Sequence, residues 1–200
     1  MNIQLNGNPT SFSTTDLPAL ITGAEKHGAS HFSLCLMVDL FRHGHKVLVF
    51  SAYPAAKDDF KVMLTAKELE RVESVEASGP GAGKQAVLVG SEDATALTSV
   101  LATLDDLQER VVLIKNIELI SIEAFEAVRA LPLVVYSGDA DACPFADELA
   151  QVDFKTKIFF SPSSKFPADD MPALEKYQGF AVGKDKNGFV TLQGESSSIH

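Results

Sequence analysis

The chain has little of what marks most specialised proteins. Two cysteines occur in 200 residues, Cys35 and Cys143, far apart and without CxxC spacing. That argues against a disulfide scaffold or a cysteine-rich metal site and leaves buried thiols in a reducing cytoplasm as the expectation. Basic residues are outnumbered, with 17 Lys and Arg against 27 Asp and Glu and a net charge of −10. Unspecific nucleic-acid binding requires Lys and Arg clustered against phosphate, and the chain has no such run, so nucleic acid is not expected as a partner. No apolar stretch reaches the length that crosses a bilayer, and the opening MNIQLNGNPT has neither the basic nor the apolar part of a signal peptide. A soluble cytoplasmic protein without a membrane partner is expected. Also missing are a GxSxG elbow, a Cys-His pairing, a dinucleotide GxGxxG and any internal repeat.

What is present is alternation. With 46% hydrophobic residues, the chain fits one globular domain over 1–200. Short β-rich runs lie at Ala19–Thr22, Val47–Ser51, Ala86–Gly90, Val111–Ile117, Leu133–Ser137 and Lys157–Ser161. Several are continuously apolar, as parallel strands covered on both faces must be. Helical periodicity fills the gaps at Ser30–Arg42, Lys57–Arg71, Ala94–Leu107, Ile122–Ala130 and Pro144–Val152. Ser91, with Glu92 and Asp93 after it, suits a helix N-cap, and Gly44 suits a glycine just past a helix end. Phe32, Leu36 and Phe41 form a core stripe. Strand-helix alternation of this kind builds right-handed βαβ units into a layered α/β sheet. Two small hairpins are expected at the ends. One lies in 1–15 and turns at Gly7-Asn8-Pro9; the other falls within about 177–193 and turns at Lys184–Asn187. The last residues, GESSSIH, are expected to fray.

Between the first strand and the first long helix lies Gly23-Ala24-Glu25-Lys26-His27-Gly28-Ala29-Ser30. This has the spacing of a phosphate-binding P-loop, in which backbone N–H groups wrap the phosphates, a lysine neutralises charge and a Ser/Thr hydroxyl holds Mg²⁺. Ala29 stands where the lysine belongs. A second glycine-rich stretch, Ser78–Gln85, has its first glycine one residue too close, no Ser or Thr after Lys84, and a strand behind it; it reads as a loop.

Taken in order over about residues 15–162, these segments resemble the RecA/RadA-like branch of the P-loop NTPases: P-loop strand and helix, a strand KVLVFSA, a strand and helix AVLVGSEDATALTSVLATL, a Walker-B-like strand RVVLIKNIEL, a sensor-like strand LVVYSGD and a last strand TKIFFSP. The resemblance implies a three-layer, mostly parallel sheet with helices on both faces. It also implies sites this chain has changed. The acidic Mg²⁺-binding position at the end of the Walker-B-like strand is occupied by Lys115 and Asn116, and the catalytic glutamate position after the second strand falls in Ser51-Ala52-Tyr53-Pro54. Without lysine, metal site and water-activating base, ordinary phosphoryl transfer is not expected and no catalytic residue is assigned.

The cations have two readings. Lys115 and Lys26 either replace the lost lysine in a metal-independent phosphate site or are solvated surface side chains. Capture of an anion by helix N–H groups alone works without either. The candidate phosphate-binding set is therefore Gly23, Lys26, His27, Gly28, Ala29, Ser30, His31 and Lys115, with Tyr53, Ser137 and Asp139 at the cleft edge. Candidate ligands are ATP, ADP or a phosphate-like anion, with Mg²⁺ doubtful. His27 and His31 are four apart but have no third ligand nearby, so no metal is expected. His43 and His45 suit the negative end of a helix. Asp139 and Asp141 either hold a cation or form a solvated turn. The resemblance further implies a homo-oligomer or a protein partner. The functional expectation is a catalytically degenerate RecA-like homologue acting through protein contacts; the alternative is an atypical nucleotide-binding protein using Lys115 or Lys26.

Overall fold

A computed structural model describes residues 2–54, 58–75, 84–91, 94–168, 171–183 and 187–193. Its elements are β1 (Asn2–Leu5), β2 (Asn8–Pro9), β3 (Ala19–Thr22), α1 (Ala29–Arg42), β4 (Val47–Ser51), α2 (Asp58–Lys61), α3 (Ala66–Leu69), β5 (Val72–Val75) and β6 (Ala86–Gly90). They continue with α4 (Ala94–Leu101), β7 (Val111–Lys115), α5 (Ile122–Val128), β8 (Val134–Gly138), α6 (Ala146–Leu149), β9 (Thr156–Phe159), β10 (Gly179–Gly183) and β11 (Gly188–Gln193). All strands join one 11-stranded sheet in the order β2-β1-β11-β10-β9-β3-β8-β7-β4-β6-β5.

The stretch from β9 to β5 is parallel, and its strands are the apolar runs. Val47–Ser51 is buried at every position, as a strand covered on both sides must be. One face carries α1 and α2, packed on Ile21, Val49, Leu113, Val135 and Ile158. The opposite face carries α4, α5 and α6 over Phe50, Val89, Ile114, Tyr136 and Phe159. This is the expected three-layer arrangement. The terminal hairpins extend the sheet: β10 pairs antiparallel with β9, β11 with β10, and β1 with β11.

Several boundaries move for local reasons. The first hairpin turns at Asn6-Gly7, not at Gly7-Asn8-Pro9, because Asn8 and Pro9 pair with Leu5 and Gln4. Asn6 and Gly7 both have positive φ, 52° and 79°, the conformation a two-residue turn between twisted strands requires. The expected helix 57–71 breaks into α2 and α3. Thr65 restarts it with a capping box: its hydroxyl accepts from the Glu68 N–H, while the Glu68 carboxylate accepts from the Thr65 N–H at 2.7 Å. Val72–Val75 then pairs with β6 as an edge strand that the periodicity does not announce. β7 stops at Lys115 rather than Ile117 because Asn116 turns into the left-handed region at φ 63°. The helix expected to 107 ends at Leu101, and the helix expected over 144–152 covers only Ala146–Leu149. α1 closes as expected, with Gly44 at φ 92° and its N–H on the Phe41 carbonyl at 3.1 Å. Most of the stretch 78–85, the residues Glu92 and Asp93, the turn residues 184–186 and the tail 194–200 lie outside the described residues.

Cys35 and Cys143 are both buried and neither is in a disulfide. Burial pushes each thiol up to about 11. No helix among the described residues is long and apolar enough to cross a membrane.

Candidate functional site

The first connection sets the site. The chain leaves β3, passes over β8 and β7, and returns in β4, so α1 lies across all four strands. Its N-terminus comes to rest above the carboxyl ends of β3, β8 and β7, the crevice where open α/β sheets bind ligands. The loop 23–28 fills the space between. Gly23 is pressed on β9's continuation, where a Cβ would come within 2.7 Å of Phe160 Cβ. The Gly23 N–H donates to the Gly138 carbonyl at 3.3 Å, and the Ala24 N–H to Ser161 Oγ at 2.8 Å. Lys26 and Gly28 both take positive φ, 67° and 112°, and between them curl the loop into the helix. Phe32 is the first to bond back into that turn, donating to the Gly28 carbonyl at 2.9 Å. The N–H groups of Ala29, Ser30 and His31 precede it and have no intrahelical acceptor, which leaves this end electropositive. Ala29, at the position a lysine would occupy, is buried in the apolar cluster beneath α1.

Below this end the α1 face of the sheet changes character. Ser51, Lys115 and Ser137 are register neighbours on β4, β7 and β8. Each lies two residues beyond a buried apolar position of the α1 face (Val49, Leu113, Val135), so the row caps an apolar layer with polar groups. Lys115 is only 4% exposed. It is not a solvated surface lysine. Its Nζ lies 3.0 Å from Asp59 Oδ2 on α2, the only acceptor it has among the described residues. Asp59, Lys115, Ser30, His31, Leu34 and Met63 line one cavity of about 320 Å³. The structure thus brings Lys115 to the P-loop helix.

The neighbouring polar groups are mostly committed. Ser51 Oγ donates to Asn116 Oδ1 at 3.2 Å and accepts from the Tyr53 N–H at 3.2 Å. Asn116 Nδ2 donates to Glu118 Oε1 at 3.4 Å, and Glu118 Oε2 accepts from the Asp139 N–H at 3.0 Å. This chain ties the ends of β4, β7 and β8 together. Thr22 Oγ1 accepts from the Ala140 N–H at 3.0 Å. Ser137 is the exception: its Oγ is buried and has no hydrogen-bond partner among the described residues.

The remaining candidates separate. Lys26 points outward, its side chain 81% exposed and 3.6 Å from Glu25. His27 is exposed and its Nδ1 lies 3.0 Å from the Glu25 carbonyl. Tyr53 is half exposed beside the Ser51 turn. Asp139 Oδ1 accepts from the Asp141 and Ala142 N–H groups, and the Asp141 carboxylate accepts from Ser163 Oγ, Ser164 and Lys165 N–H. Burial of Asp141 would raise its pKa, but those hydrogen bonds outweigh it and hold it low. Both aspartates therefore staple the 139–142 loop to the 161–166 loop. No group of three or more His, Cys, Asp or Glu side chains that could hold a metal ion occurs among the described residues.

His31 also borders a second cavity, about 370 Å³, with Gly28, Phe160, Lys176, Tyr177 and Thr191. Tyr177 rests against Gly28, where a Cβ would meet its ring at 3.3 Å. Sequence reasoning did not find Asp59, Glu118 or Tyr177. Glu118 could have been noticed as the first acid past the β7 strand; Asp59 and Tyr177 reach the site only through long-range packing.

No protein-family model matches the chain and no curated protein is similar to it. Its backbone is similar to solved structures of the genome packaging NTPase B204 from Sulfolobus turreted icosahedral virus 2. The complex with sulfate superposes with a TM-score of 0.59 at 10% identity, covering 88% of this chain and 96% of that one. The complex with AMPPCP gives 0.58 at 10% identity, with 92% and 100% covered. The complex with ATP-gammaS gives 0.57 at 11%, with 87% and 95% covered. At such identity the likeness speaks for architecture, and with the sheet order and loop geometry above it establishes that this chain has the fold of a P-loop NTPase.

Proposed function

We propose that this chain is a degenerate P-loop-fold protein that binds a phosphate-bearing ligand, a nucleotide in the first instance, with Lys115 as its cation and without ordinary ATP hydrolysis. The observation that carries this is the place of Lys115: buried, at the carboxyl end of β7, across one cavity from Ser30 on the first turn of α1. A cation there and unpaired N–H groups at the helix end converge on one volume, which is what phosphate capture requires. The similar structures carry sulfate, AMPPCP and ATP-gammaS in B204, which supports the choice of ligand class.

Turnover is a separate matter. Hydrolysis needs the transferred phosphoryl charge neutralised and a water oriented in line. Lys115 and Asn116 replace the metal-binding acid, and Ser51 to Pro54 offer no carboxylate. The chain alone therefore binds without turning over, and its biological output passes through protein contacts.

The test is calorimetric titration of ATP, ADP and tripolyphosphate, with EDTA and with Mg²⁺. Binding is expected in EDTA, weakened about tenfold or more by Lys115→Met. No heat from any of the three up to millimolar would leave only the protein-contact role. Undiminished binding by Lys115→Met would remove Lys115 from the site.

A further inference from the structure

The cavity between α1 and β7 contains its own anion. Asp59 Oδ2 sits 3.0 Å from Lys115 Nζ, and both groups line the same space as Ser30 and His31. The two ends of this ion pair differ sharply: the Lys115 side chain is 5% exposed and the Asp59 side chain 56%. A buried ammonium cannot leave its place without losing its only acceptor among the described residues. A half-exposed carboxylate on a four-residue helix can turn to water at little expense. The pair also cancels. With Lys26 turned outward and paired to Glu25, the cavity's one lysine among the described residues is neutralised by its one carboxylate among them.

We propose that Asp59 is a displaceable internal competitor for Lys115, and that the site consequently selects ligands with two or more linked phosphates over a single phosphate or sulfate. This rests on the phosphate-binding reading above. The physical reason is a count of what each ligand adds. A lone anion offers Lys115 the same charge-assisted contact that Asp59 already supplies, and must also give up its translational freedom. A diphosphate or triphosphate can place one group on Lys115 while another takes the N–H groups of Ala29 to His31 and the Ser30 hydroxyl. Asp59 has no counterpart to that second set. Displacement is thus uphill for one phosphate and favourable for a chain of them. Val62, 82% exposed, follows α2 directly and borders the same cavity, so release of Asp59 would be felt in this apolar segment first.

The experiment uses the full chain and three probes: inorganic phosphate, pyrophosphate and tripolyphosphate, titrated by calorimetry in EDTA. In the wild type, tripolyphosphate should bind at least about tenfold tighter than inorganic phosphate, because only it reaches both anchors. Asp59→Asn should tighten all three by about tenfold, because each must displace the same carboxylate from Lys115, and inorganic phosphate should then become a measurable ligand. Asp59→Ala, which removes the side chain's hydrogen bonding altogether, should do the same. Both variants should melt below the wild type, because each weakens or removes the acceptor of the buried Lys115 ammonium, and added tripolyphosphate should recover the difference. If Asp59→Asn leaves affinity unchanged or weakens it in a wild type whose binding depends on Lys115, the competitor is overturned and the phosphate site stands. If neither wild type nor Asp59→Asn binds any of the three, the phosphate site itself falls.

Discussion

Two buried cations bracket β7 and have opposite fates. Arg110, just before the strand, is 1% exposed, and each of its N–H donors is taken. Its guanidinium holds Asp106 through both carboxylate oxygens at 3.1 and 2.9 Å, and donates to the carbonyls of Val47, Gln85 and Lys84 at 3.0, 3.3 and 3.3 Å. Those carbonyls lie at or just before the amino ends of β4 and β6, so Arg110 clamps the lower edge of the sheet. Lys115, at the other end of the same strand, spends one contact on a half-exposed carboxylate and faces a cavity. Planar, fully satisfied arginine makes a fixed joint; a point-charge lysine with spare donors makes a site. Saturation of donors, rather than burial, separates the two cations.

The contrast can be broken at the arginine first. Arg110→Met leaves Asp106 with Lys46 as its remaining cation and strands the carbonyls the guanidinium served, and should destabilise by about 3–5 kcal/mol. A chemical denaturation curve that moves by less than about 1 kcal/mol would show that the lower edge does not depend on the clamp. A smaller loss is expected at the upper edge from Gly138→Ala. Gly138 has φ 150°, and a Cβ there would meet the Glu118 carboxylate and come within 2.8 Å of the Ile117 nitrogen. The combination should cost about 1–3 kcal/mol, read as a lowered Tm, and should shift Glu118 off the Asp139 N–H.

Acid sharpens the lower edge further. Burial would raise the Asp106 pKa, but the Lys46 hydrogen bond and the Arg110 charge and hydrogen bond outweigh it and set it below its ordinary 3.8. A carboxylate lowered on folding adds stability above its unfolded pKa and loses it as pH falls through the folded value. Stability should therefore drop as pH falls below about 4, less steeply in Asp106→Asn, with Glu68, Glu123 and Asp141 adding to the remaining slope. A slope identical to wild type would mean that Asp106 is not linked to folding. The smallest stability effect belongs to Lys115→Met. An ammonium buried against a half-exposed acid is replaced by an apolar chain of similar length, so the change should stay within about 1 kcal/mol of zero. The same substitution should weaken phosphate binding by about tenfold or more. A loss of stability as large as that of Arg110→Met would make Lys115 a second clamp.

The parallel strands were legible to the residue at Ala19–Thr22, Val47–Ser51 and Ala86–Gly90, because a strand buried on both faces leaves an uninterrupted apolar run between polar breaks. The break in 57–71 was also written in the chain, as the Thr65-to-Glu68 capping box, but a helical period running through it hid the signal. β5 was not legible: it is a half-buried edge strand that gains its identity from pairing with β6. The site divides in the same way. Loop residues Gly23 to Ser30 follow one another and announce themselves by spacing. Asp59 and Tyr177 carry no local mark and reach the loop only because the sheet folds them there.

Taken alone, the sequence determined the layered α/β class, the strand-helix order, and the glycine spacing of Gly23 to Ser30 with Ala29 before its serine, since each of these depends on short-range pattern. Tertiary structure decided where the chain's candidate cations lie relative to that loop. A lysine is charged and flexible wherever it occurs, and nothing within a few residues of Lys115 or Lys26 distinguishes the cation of a cleft from a solvated side chain. Only the register of β4, β7 and β8 beneath α1 buries one of them at the cavity, with Asp59 against it, and leaves the other in water.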